Sequence, residues 1–336
     1  MKAYQLDREQ KLIQIEKPTP PYKSNEVLIR VRAASLNYRD VMVANGAYGS
    51  KTEINPIAPL SDGAGEIVEV GADVSHFKKG DRVVAAFMPG WVDGELTEEK
   101  QSTSLGGGNV SGMLSEFVVL PASGVLKMPK HLSFEEAASL PCAGLTAWYA
   151  LFEGAKLQPG MTVLLLGTGG VSMFALQFAK LAGAKVIITS SSDEKLKRAR
   201  EFGADETINY KTYPNWSEKV REITNGRGVD HAVEVGGPGT LNQTLKAVRY
   251  AGSVSLMGVL TGFSDKVETA TILSKNIRVQ GTYVGSVAMF ERMNAALESS
   301  GLKPVVDRVF SFSQALEAYD YLQSGNHFGK VVIKLS

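Results

Sequence analysis

The feature that most limits the possible fold of this chain is an apolar run that ends in a glycine-rich turn, "MTVLLLGTGGVSMFALQFAKLAGA" (161–184). A continuous apolar run is typical of a parallel strand that is buried on both faces. After the turn, apolar residues recur at spacings of three and four, which predicts a helix with one buried face. The stretch therefore predicts a strand, a tight turn and a helix in direct succession.

The chain after this stretch repeats the alternation of strand and helix. The further apolar runs that predict strands are "KVIITS" (185–190), "ETINY" (206–210), "VDHAVEVGG" (229–237), "GSVSLMG" (252–258) and "IRVQGTYVG" (277–285). Helical patterns lie between most of them. Alternation at this spacing indicates βαβ units, so we expect an α/β fold with a Rossmann doubly wound parallel sheet domain.

The first third of the chain has a different pattern, with short alternating strands such as "EVLIRVRAAS" (26–35) bordered by glycine, aspartate or proline. This favours a small antiparallel β-rich domain. The stretch 88–113 has no steady period and predicts a long loop. The last residues, 311–336, predict a helix and a strand that pack back on the first domain. We therefore expect a β-rich domain from residues 1–123 and 286–336 and a cofactor-binding domain from residues 124–285.

The turn "GTGGVS" has the composition of a phosphate-binding loop. A pyrophosphate must approach backbone N–H groups at a helix N-terminus, so side chains there must be small or absent. We expect the cofactor to lie on Gly167, Thr168, Gly169, Gly170 and Val171. A tight strand–helix turn without a ligand is the alternative reading.

The end of the second parallel strand indicates which dinucleotide binds. NAD enzymes usually place an acidic residue there, whereas this chain has Ser190 and Ser191. Ser191 and Glu194 fit a capping box, which would place the nearby acidic residues in the first turn of a helix. Lys195 and Tyr210 could then reach a 2′-phosphate, so we expect NADPH rather than NADH. For Lys195 the alternative is a solvated helix residue.

Other cofactor-binding residues are expected where later strands end, because ligands bind at the carboxyl ends of parallel strands. Gly236, Gly237 and Val259 hold such positions. Tyr283 could close the nicotinamide side, although a place in the strand core is equally consistent with the pattern.

Composition limits the class of partner. Lys and Arg number 36 and Asp and Glu number 35, so no positive field would gather nucleic acid or an anionic membrane. The start "MKAYQLDREQ" carries charges where a secretion signal needs an apolar run, and no stretch has the length of a membrane span. We expect a small-molecule substrate, no nucleic-acid or membrane partner and a cytoplasmic location.

The order of several motifs resembles that of the medium-chain dehydrogenase/reductase superfamily. These motifs are "GAGEIVEVG", "GDRV", "LPCAGLTAWYAL", "GTGGVS", "GRGVDHAVEVGG" and "HFGKVVI". The resemblance implies a GroES-like β-rich catalytic domain from both chain ends and a Rossmann domain between them. It also implies a homodimer.

The superfamily has a zinc-dependent and a zinc-free branch, and the resemblance places this chain in the second. Where the zinc branch carries a Cys ligand and then a His–Glu pair, this chain has Asn37 and then Ser61-Asp62. The third ligand position falls on Cys142, and the chain has one cysteine in all. Catalytic zinc generally takes three protein ligands, so we expect no zinc.

Asn37, Tyr38 and Thr146 are the candidate catalytic residues. Asn37 would hydrogen-bond near the nicotinamide ribose or the substrate oxygen, unless it only caps a helix, with Asp40 in its first turn. Tyr38 is the nearest candidate proton donor. Thr146 matches a position beside the nicotinamide, although it could simply bond a helix carbonyl.

The expected function is an NADPH-dependent, zinc-independent oxidoreductase that transfers hydride to quinones or to activated carbonyl or alkene substrates. Without zinc there is no strong Lewis acid to polarise an ordinary alcohol or carbonyl oxygen. Two alternatives are an NADP-dependent alcohol dehydrogenase or ketone reductase without zinc, and a non-catalytic NADPH-binding sensor or structural protein.

Overall fold

The computed structural model describes residues 1–7, 11–47, 57–108 and 110–335. Its strands are β1 (Lys2–Leu6), β2 (Leu12–Glu16), β3 (Glu26–Leu36), β4 (Asp62–Val70), β5 (Arg82–Ala85), β6 (Phe117–Pro121), β7 (Val125–Lys127), β8 (Thr162–Leu166), β9 (Lys185–Ser190), β10 (Glu206–Asn209), β11 (Val229–Glu234), β12 (Val248–Leu256), β13 (Arg278–Gly281), β14 (Val306–Ser311) and β15 (Lys330–Lys334).

The α-helices are α1 (Tyr38–Ala44), α2 (Glu98–Ser102), α3 (Phe134–Ala137), α4 (Leu145–Trp148), α5 (Gly170–Leu181), α6 (Asp193–Glu201), α7 (Trp216–Ile223), α8 (Pro238–Ala247), α9 (Thr269–Lys275), α10 (Val287–Ser300) and α11 (Ala315–Gln323). Two π-helical segments, Leu140–Gly144 and Tyr149–Gly154, flank α4. None of the helices formed by the described residues is long and apolar enough to cross a membrane.

The chain divides into two compact units. The first contains Met1–Leu145 and Val284–Ser336, and the second contains Thr146–Tyr283. Both chain ends therefore belong to the same unit. Residues 124–145, which the sequence prediction assigned to the cofactor domain, lie in the first unit.

The second unit is built on a parallel sheet with the strand order β10-β9-β8-β11-β12-β13. Numbered within the unit, this is the order 3-2-1-4-5-6 of dinucleotide-binding folds, and the predicted doubly wound sheet is confirmed. The central strand β8 has four of its five residues buried because helices cover both faces of such a sheet. Helix α5 follows it and buries Phe174, Ala175, Phe178 and Ala179, as the apolar spacing predicted.

One local prediction in this unit is wrong. The N-cap of α6 is Ser192, whose side chain accepts the N–H of Lys195, rather than Ser191 paired with Glu194. The strand β9 ends at Ser190, and the helix starts one residue later than the capping-box pattern suggested. Glu194 still lies in the first turn, where a negative charge interacts favourably with the free N–H groups.

The first unit is built on a sheet with the order β14-β15-β3-β4-β5-β7, while β6 also pairs with β3 and β1 pairs with β2. Neighbouring strands bring distant segments together, since Leu36 of β3 pairs with Val331 of β15 and Ser35 pairs with Asp62 of β4. The predicted β-rich domain has this sheet as its centre. Its register places the end of β3 beside the starts of β4 and β15.

The stretch 88–113, predicted to be a loop, contains the short helix α2. The ammonium of Lys100 donates to the carbonyl oxygens of Asp93 and Glu95, at 2.9 and 2.6 Å. The backbone N–H of Val287 donates to the carbonyl of Trp91. These bonds satisfy backbone groups of an otherwise irregular segment and connect it to the start of α10.

Candidate active site

A buried lysine lies at the centre of the polar cluster in the first unit. Lys330 is 2% exposed, and its Nζ donates to the carbonyl of Leu36 at 2.7 Å and to Oδ1 of Asn37 at 2.5 Å. Its Nζ also lies 3.8 Å from Oδ2 of Asp62. Gly329 precedes it at φ +88°, where a Cβ would lie 2.4 Å from the Val305 carbonyl, so this entry to β15 requires glycine.

Two hydrogen bonds fix the position of Asn37. It occupies the N-cap position of α1, and its backbone N–H donates to Oδ2 of Asp40 at 2.7 Å. Its side-chain oxygen accepts from Lys330. Its Nδ2 is buried and has no hydrogen-bond partner among the residues that the structure describes. The two roles predicted for Asn37 were a helix cap and a hydrogen-bonding partner of the ligand. Both retain support, since Asn37 starts a helix and also has an unused donor.

Asp62 is fully buried and accepts two hydrogen bonds. Its Oδ1 accepts from the Ser61 hydroxyl at 2.7 Å, and its Oδ2 accepts from the backbone N–H of Cys142 at 3.1 Å. Burial raises the pKa of the Cys142 thiol well above its usual range, and the charge of Asp62 raises it further. The thiol therefore stays protonated at neutral pH.

The residues at the positions of zinc ligands do not fit zinc. Zinc binds thiolate, imidazole or carboxylate groups, whereas here the first ligand position is the amide of Asn37, and the carboxylate of Asp62 faces the ammonium of Lys330. Within residues 1–7, 11–47, 57–108 and 110–335, no cluster of three His, Cys, Asp or Glu side chains could hold a metal. The cation beside Asp62 is supplied by the protein itself.

Three neighbours of Asn37 differ in exposure and contacts. Tyr38 is 43% exposed, whereas the other two are buried. Arg39 is buried, donates to the Leu105 carbonyl at 2.8 Å and lies 4.6 Å from the centre of the Phe87 ring. Burial raises the pKa of Asp40 to about 6, although the Arg39 charge opposes this shift. Arg39 thus links α1 to the 88–113 stretch.

The predicted phosphate-binding turn lies between β8 and α5 of the second unit. Gly167 has φ +71°, a conformation that L side chains rarely adopt, and Gly169 is the N-cap of α5. Thr168 is buried, and Gly170 and Val171 form the first turn of the helix. The first N–H groups of α5 have no helical partner, which is the arrangement that a pyrophosphate requires.

The proposed 2′-phosphate residues lie at the ends of β9 and β10. Ser190 pairs with Asn209, and the N–H of Tyr210 donates to the Ser190 carbonyl at 3.0 Å, so Ser190 and Tyr210 are neighbours. Ser191 is partly exposed between β9 and α6. Lys195 lies in the first turn of α6. The first acidic residue after β9 is Asp193, whose carboxylate accepts from the Asn209 side chain at 2.7 Å.

The next turn, after β11, is shaped by a buried carboxylate. Oε1 of Glu234 accepts from the N–H groups of Gly236 and Gly237 at 2.7 and 3.0 Å and from the Thr240 hydroxyl at 2.7 Å. Its Oε2 accepts from the Thr244 hydroxyl. Glu234 is fully buried, and sequence reasoning missed its role because "VEVGG" reads as a strand followed by a turn.

Two further predicted cofactor residues share one cavity of the second unit. Val259 and Tyr283 line a space of about 410 Å³ at the carboxyl ends of β12 and β13, and most of its lining is apolar. Thr146 lies in α4, buried at 4% exposure, in the same unit. The catalytic and cofactor-binding roles of all these residues stay predictions.

Sequence reasoning did not assign a role to Lys330, although "HFGKVVI" was one of the motifs that carried the resemblance. A lysine between a glycine and an apolar strand is an unusual start for a buried strand, since lysine is almost never fully buried unless it is paired. The position of Lys330 directly before an apolar strand was therefore the sequence signal that could have identified it. Its partner Asn37 lies 293 positions away, so no local pattern could identify it.

Comparison with known proteins gives matches over almost the whole chain. Residues 23–130 match the alcohol dehydrogenase GroES-like domain, and residues 170–299 match the zinc-binding dehydrogenase family. A zinc-type alcohol dehydrogenase-like protein of Schizosaccharomyces pombe is 47% identical over 94% of this chain and 93% of its own length.

Solved structures agree with these matches. The crystal structure of an NAD-dependent alcohol dehydrogenase is 34% identical, with a TM-score of 0.90 and all of both chains covered. The quinone oxidoreductase of Pseudomonas syringae pv. Tomato is 27% identical, with a TM-score of 0.84 and 99% of each chain covered. The similar proteins thus include both alcohol dehydrogenases and quinone oxidoreductases.

Proposed function

We propose a function that starts from one premise: this chain belongs to the medium-chain dehydrogenase/reductase superfamily and is an oxidoreductase. Within that family, we infer that it is an NADPH-dependent reductase that works without zinc. Its substrates would be quinones, or carbonyl and alkene compounds activated by conjugation. The observation that carries this proposal is the ammonium of Lys330 beside Asp62 and Asn37, at positions where the resemblance expects metal ligands.

The chemistry follows from what this chain can and cannot stabilise. Bound NADPH would supply the hydride. Without a metal to polarise an alkoxide or a carbonyl, substrates that accept hydride readily are favoured. The buried NH₂ of Asn37 can donate to a developing oxygen charge, and the exposed Tyr38 or solvent can supply the proton.

The test combines an NADPH-oxidation panel with metal analysis of protein purified without chelator. The panel contains 1,4-naphthoquinone, a conjugated enone, a conjugated aldehyde and a simple ketone. We expect oxidation with the conjugated acceptors, less than stoichiometric zinc and no loss of activity with EDTA. One zinc per chain that is required for turnover would contradict the proposal. NADPH binding without oxidation of any acceptor would favour a sensor or structural protein.

The similarity to an NAD-dependent alcohol dehydrogenase favours a second candidate, a zinc-free alcohol dehydrogenase or ketone reductase. Reduction of NADP⁺ or NAD⁺ by simple alcohols, at rates comparable to those with quinones, would support it.

Homodimer formation and a cytoplasmic location stay predictions, and sedimentation of the purified protein tests the first of them.

The preference for NADPH can be tested at Lys195. Its ammonium is expected to contact the 2′-phosphate, and a hydrogen bond to a charged group contributes about 1.5–3 kcal/mol. Lys195→Ala should therefore weaken NADPH binding by at least about tenfold and leave NADH binding unchanged. Lys197→Ala, an exposed position of the same helix, is the control. An unchanged ratio of NADPH to NADH affinity in the Lys195 variant would contradict the assignment.

A further inference from the structure

The side-chain amide of Asn37 has one orientation that its neighbours allow. The ammonium of Lys330 can only donate hydrogen bonds, so the atom that faces it at 2.5 Å must be the amide oxygen. The NH₂ group therefore points away from Lys330. The assignment of oxygen and nitrogen, often ambiguous for asparagine, is fixed here by chemistry.

The ammonium is itself fixed in place. It has three N–H donors, of which two are used by Leu36 and Asn37, and the carboxylate of Asp62 lies 3.8 Å away. Both charged side chains are almost fully buried, at 2% exposure for Lys330 and 0% for Asp62. Moving either one would leave an uncompensated charge in the interior, which is strongly destabilising. The pair is a rigid support for the amide.

The NH₂ group of Asn37 is left with unused donors. It is buried and has no partner in the part of the chain that the structure describes. A buried donor without an acceptor costs about 1–3 kcal/mol, so natural proteins keep few such groups without a reason. A ligand oxygen that accepts from this NH₂ would remove that cost.

We propose that Lys330 is a positioning residue, whose buried ammonium orients the Asn37 amide so that its NH₂ donates a hydrogen bond to an oxygen of the bound ligand. The acceptor is either a carbonyl oxygen of the substrate or a ribose hydroxyl of the cofactor. Lys330 touches neither and acts through Asn37. This role rests on the proposed reductase function for its kinetic consequences, but the hydrogen bond itself can be observed without turnover.

The informative variant removes both charges of the pair. Lys330→Met alone would leave Asp62 buried and unpaired, and the protein could fail to fold for that reason. Combining it with Asp62→Asn avoids this, because the new amide oxygen can accept from the Cys142 N–H while its NH₂ donates to the Ser61 hydroxyl. The control is Lys79→Met with Glu69→Gln, which removes an exposed pair of the same unit.

Kinetics test whether Lys330 acts through Asn37. We expect K330M/D62N and N37A each to lower kcat/KM for 1,4-naphthoquinone about tenfold, equivalent to about 1.4 kcal/mol. The triple variant should be no slower than N37A, because residues that act through one another have non-additive effects. The control pair should retain wild-type kcat/KM. Losses that multiply in the triple variant would overturn the positioning role.

Nuclear magnetic resonance provides a readout without turnover. In protein labelled with ¹⁵N-asparagine, the Asn37 NH₂ signals are those that Asn37→Asp lacks. Adding NADP⁺ alone or 1,4-naphthoquinone alone should shift them and so identify which ligand supplies the oxygen, and K330M/D62N should abolish the shift. If neither ligand moves these signals in the wild type, the inference is wrong. If they move but no acceptor is reduced, the reductase function is wrong and the inference stands.

Discussion

Asp230 illustrates, at the scale of a residue, how a buried charge is stabilised in the second unit. It accepts from Arg227 Nη2 at 2.6 Å, from Arg249 Nε at 2.6 Å and from the Thr162 N–H at 2.8 Å. Burial alone would raise the pKa of Asp230, but these hydrogen bonds and the charge of Arg227 outweigh it and lower the pKa to about 2. The ionised form is therefore favoured by folding.

This pKa has a consequence for stability. A carboxyl group whose folded-state pKa lies below its unfolded value stabilises the fold above the unfolded pKa and loses that contribution as the pH falls through the folded value. We expect Asp230→Asn to cost about 2 kcal/mol at pH 7, and the cost to shrink between pH 4 and pH 2. Urea unfolding at several pH values measures it, with the exposed Asp73→Asn as the control. An equal cost at pH 7 and pH 2.5 would show that the stabilisation does not come from the ionised carboxylate of Asp230.

At the scale of an element, the turn between β11 and α8 depends on one side chain. Gly237 has φ +93°, and a Cβ there would lie 2.8 Å from the Gly258 carbonyl, so two loops approach closely at this end of the sheet. The Glu234 carboxylate holds the backbone N–H groups of this turn. The Glu234 side chain therefore fixes the conformation of this turn. It would not itself touch a cofactor that lies on the glycines.

Two substitutions at Glu234 separate the effect of losing the hydrogen-bond acceptor from the effect of losing the charge. Glu234→Ala would leave the buried N–H groups of Gly236 and Gly237 without an acceptor, and we expect it to cost at least about 2 kcal/mol of unfolding free energy and to weaken NADPH binding. Glu234→Gln keeps an oxygen for the glycine N–H groups and should retain most of both. Urea unfolding and fluorescence titration with NADPH measure the two effects. Normal NADPH affinity in a folded Ala variant would show that the turn does not bind the cofactor.

Elements were easier to predict from the sequence than the contacts between them. The strand and helix of 161–184 were predictable because burial of both strand faces and of one helix face leaves a local period in the sequence. The cap of α6 was misplaced by one residue, since neighbouring serines are chemically equivalent and the backbone decides which one caps. The bond between Lys330 and Asn37 depends on the sheet register, which a single sequence does not reveal.

At the scale of the whole molecule, the two units differ in how the chain builds them. The second unit is continuous, Thr146–Tyr283, whereas the first needs both chain ends. Strand β15 lies inside the sheet of the first unit, between β14 and β3. Removing β15 would therefore open that sheet in its middle and leave the second unit with all of its strands.

A truncation tests this difference. We expect deletion of residues 324–336 to unfold the first unit, because Val331, Val332 and Ile333 are fully buried in its core. The second unit should remain folded. Limited proteolysis with mass spectrometry should then yield a protected fragment close to 146–283, while the full-length protein resists cleavage under the same conditions. Loss of both units together would show that the second depends on the first.

The central position of β15 also determines when the first unit can form during synthesis. Residues 330–334 follow the whole second unit in the chain, so the sheet that needs them cannot close until Thr146–Tyr283 has been synthesised. The second unit has emerged by then and can fold as the chain grows. The N-terminal strands therefore keep an open sheet edge, which favours aggregation, until β15 has left the ribosome.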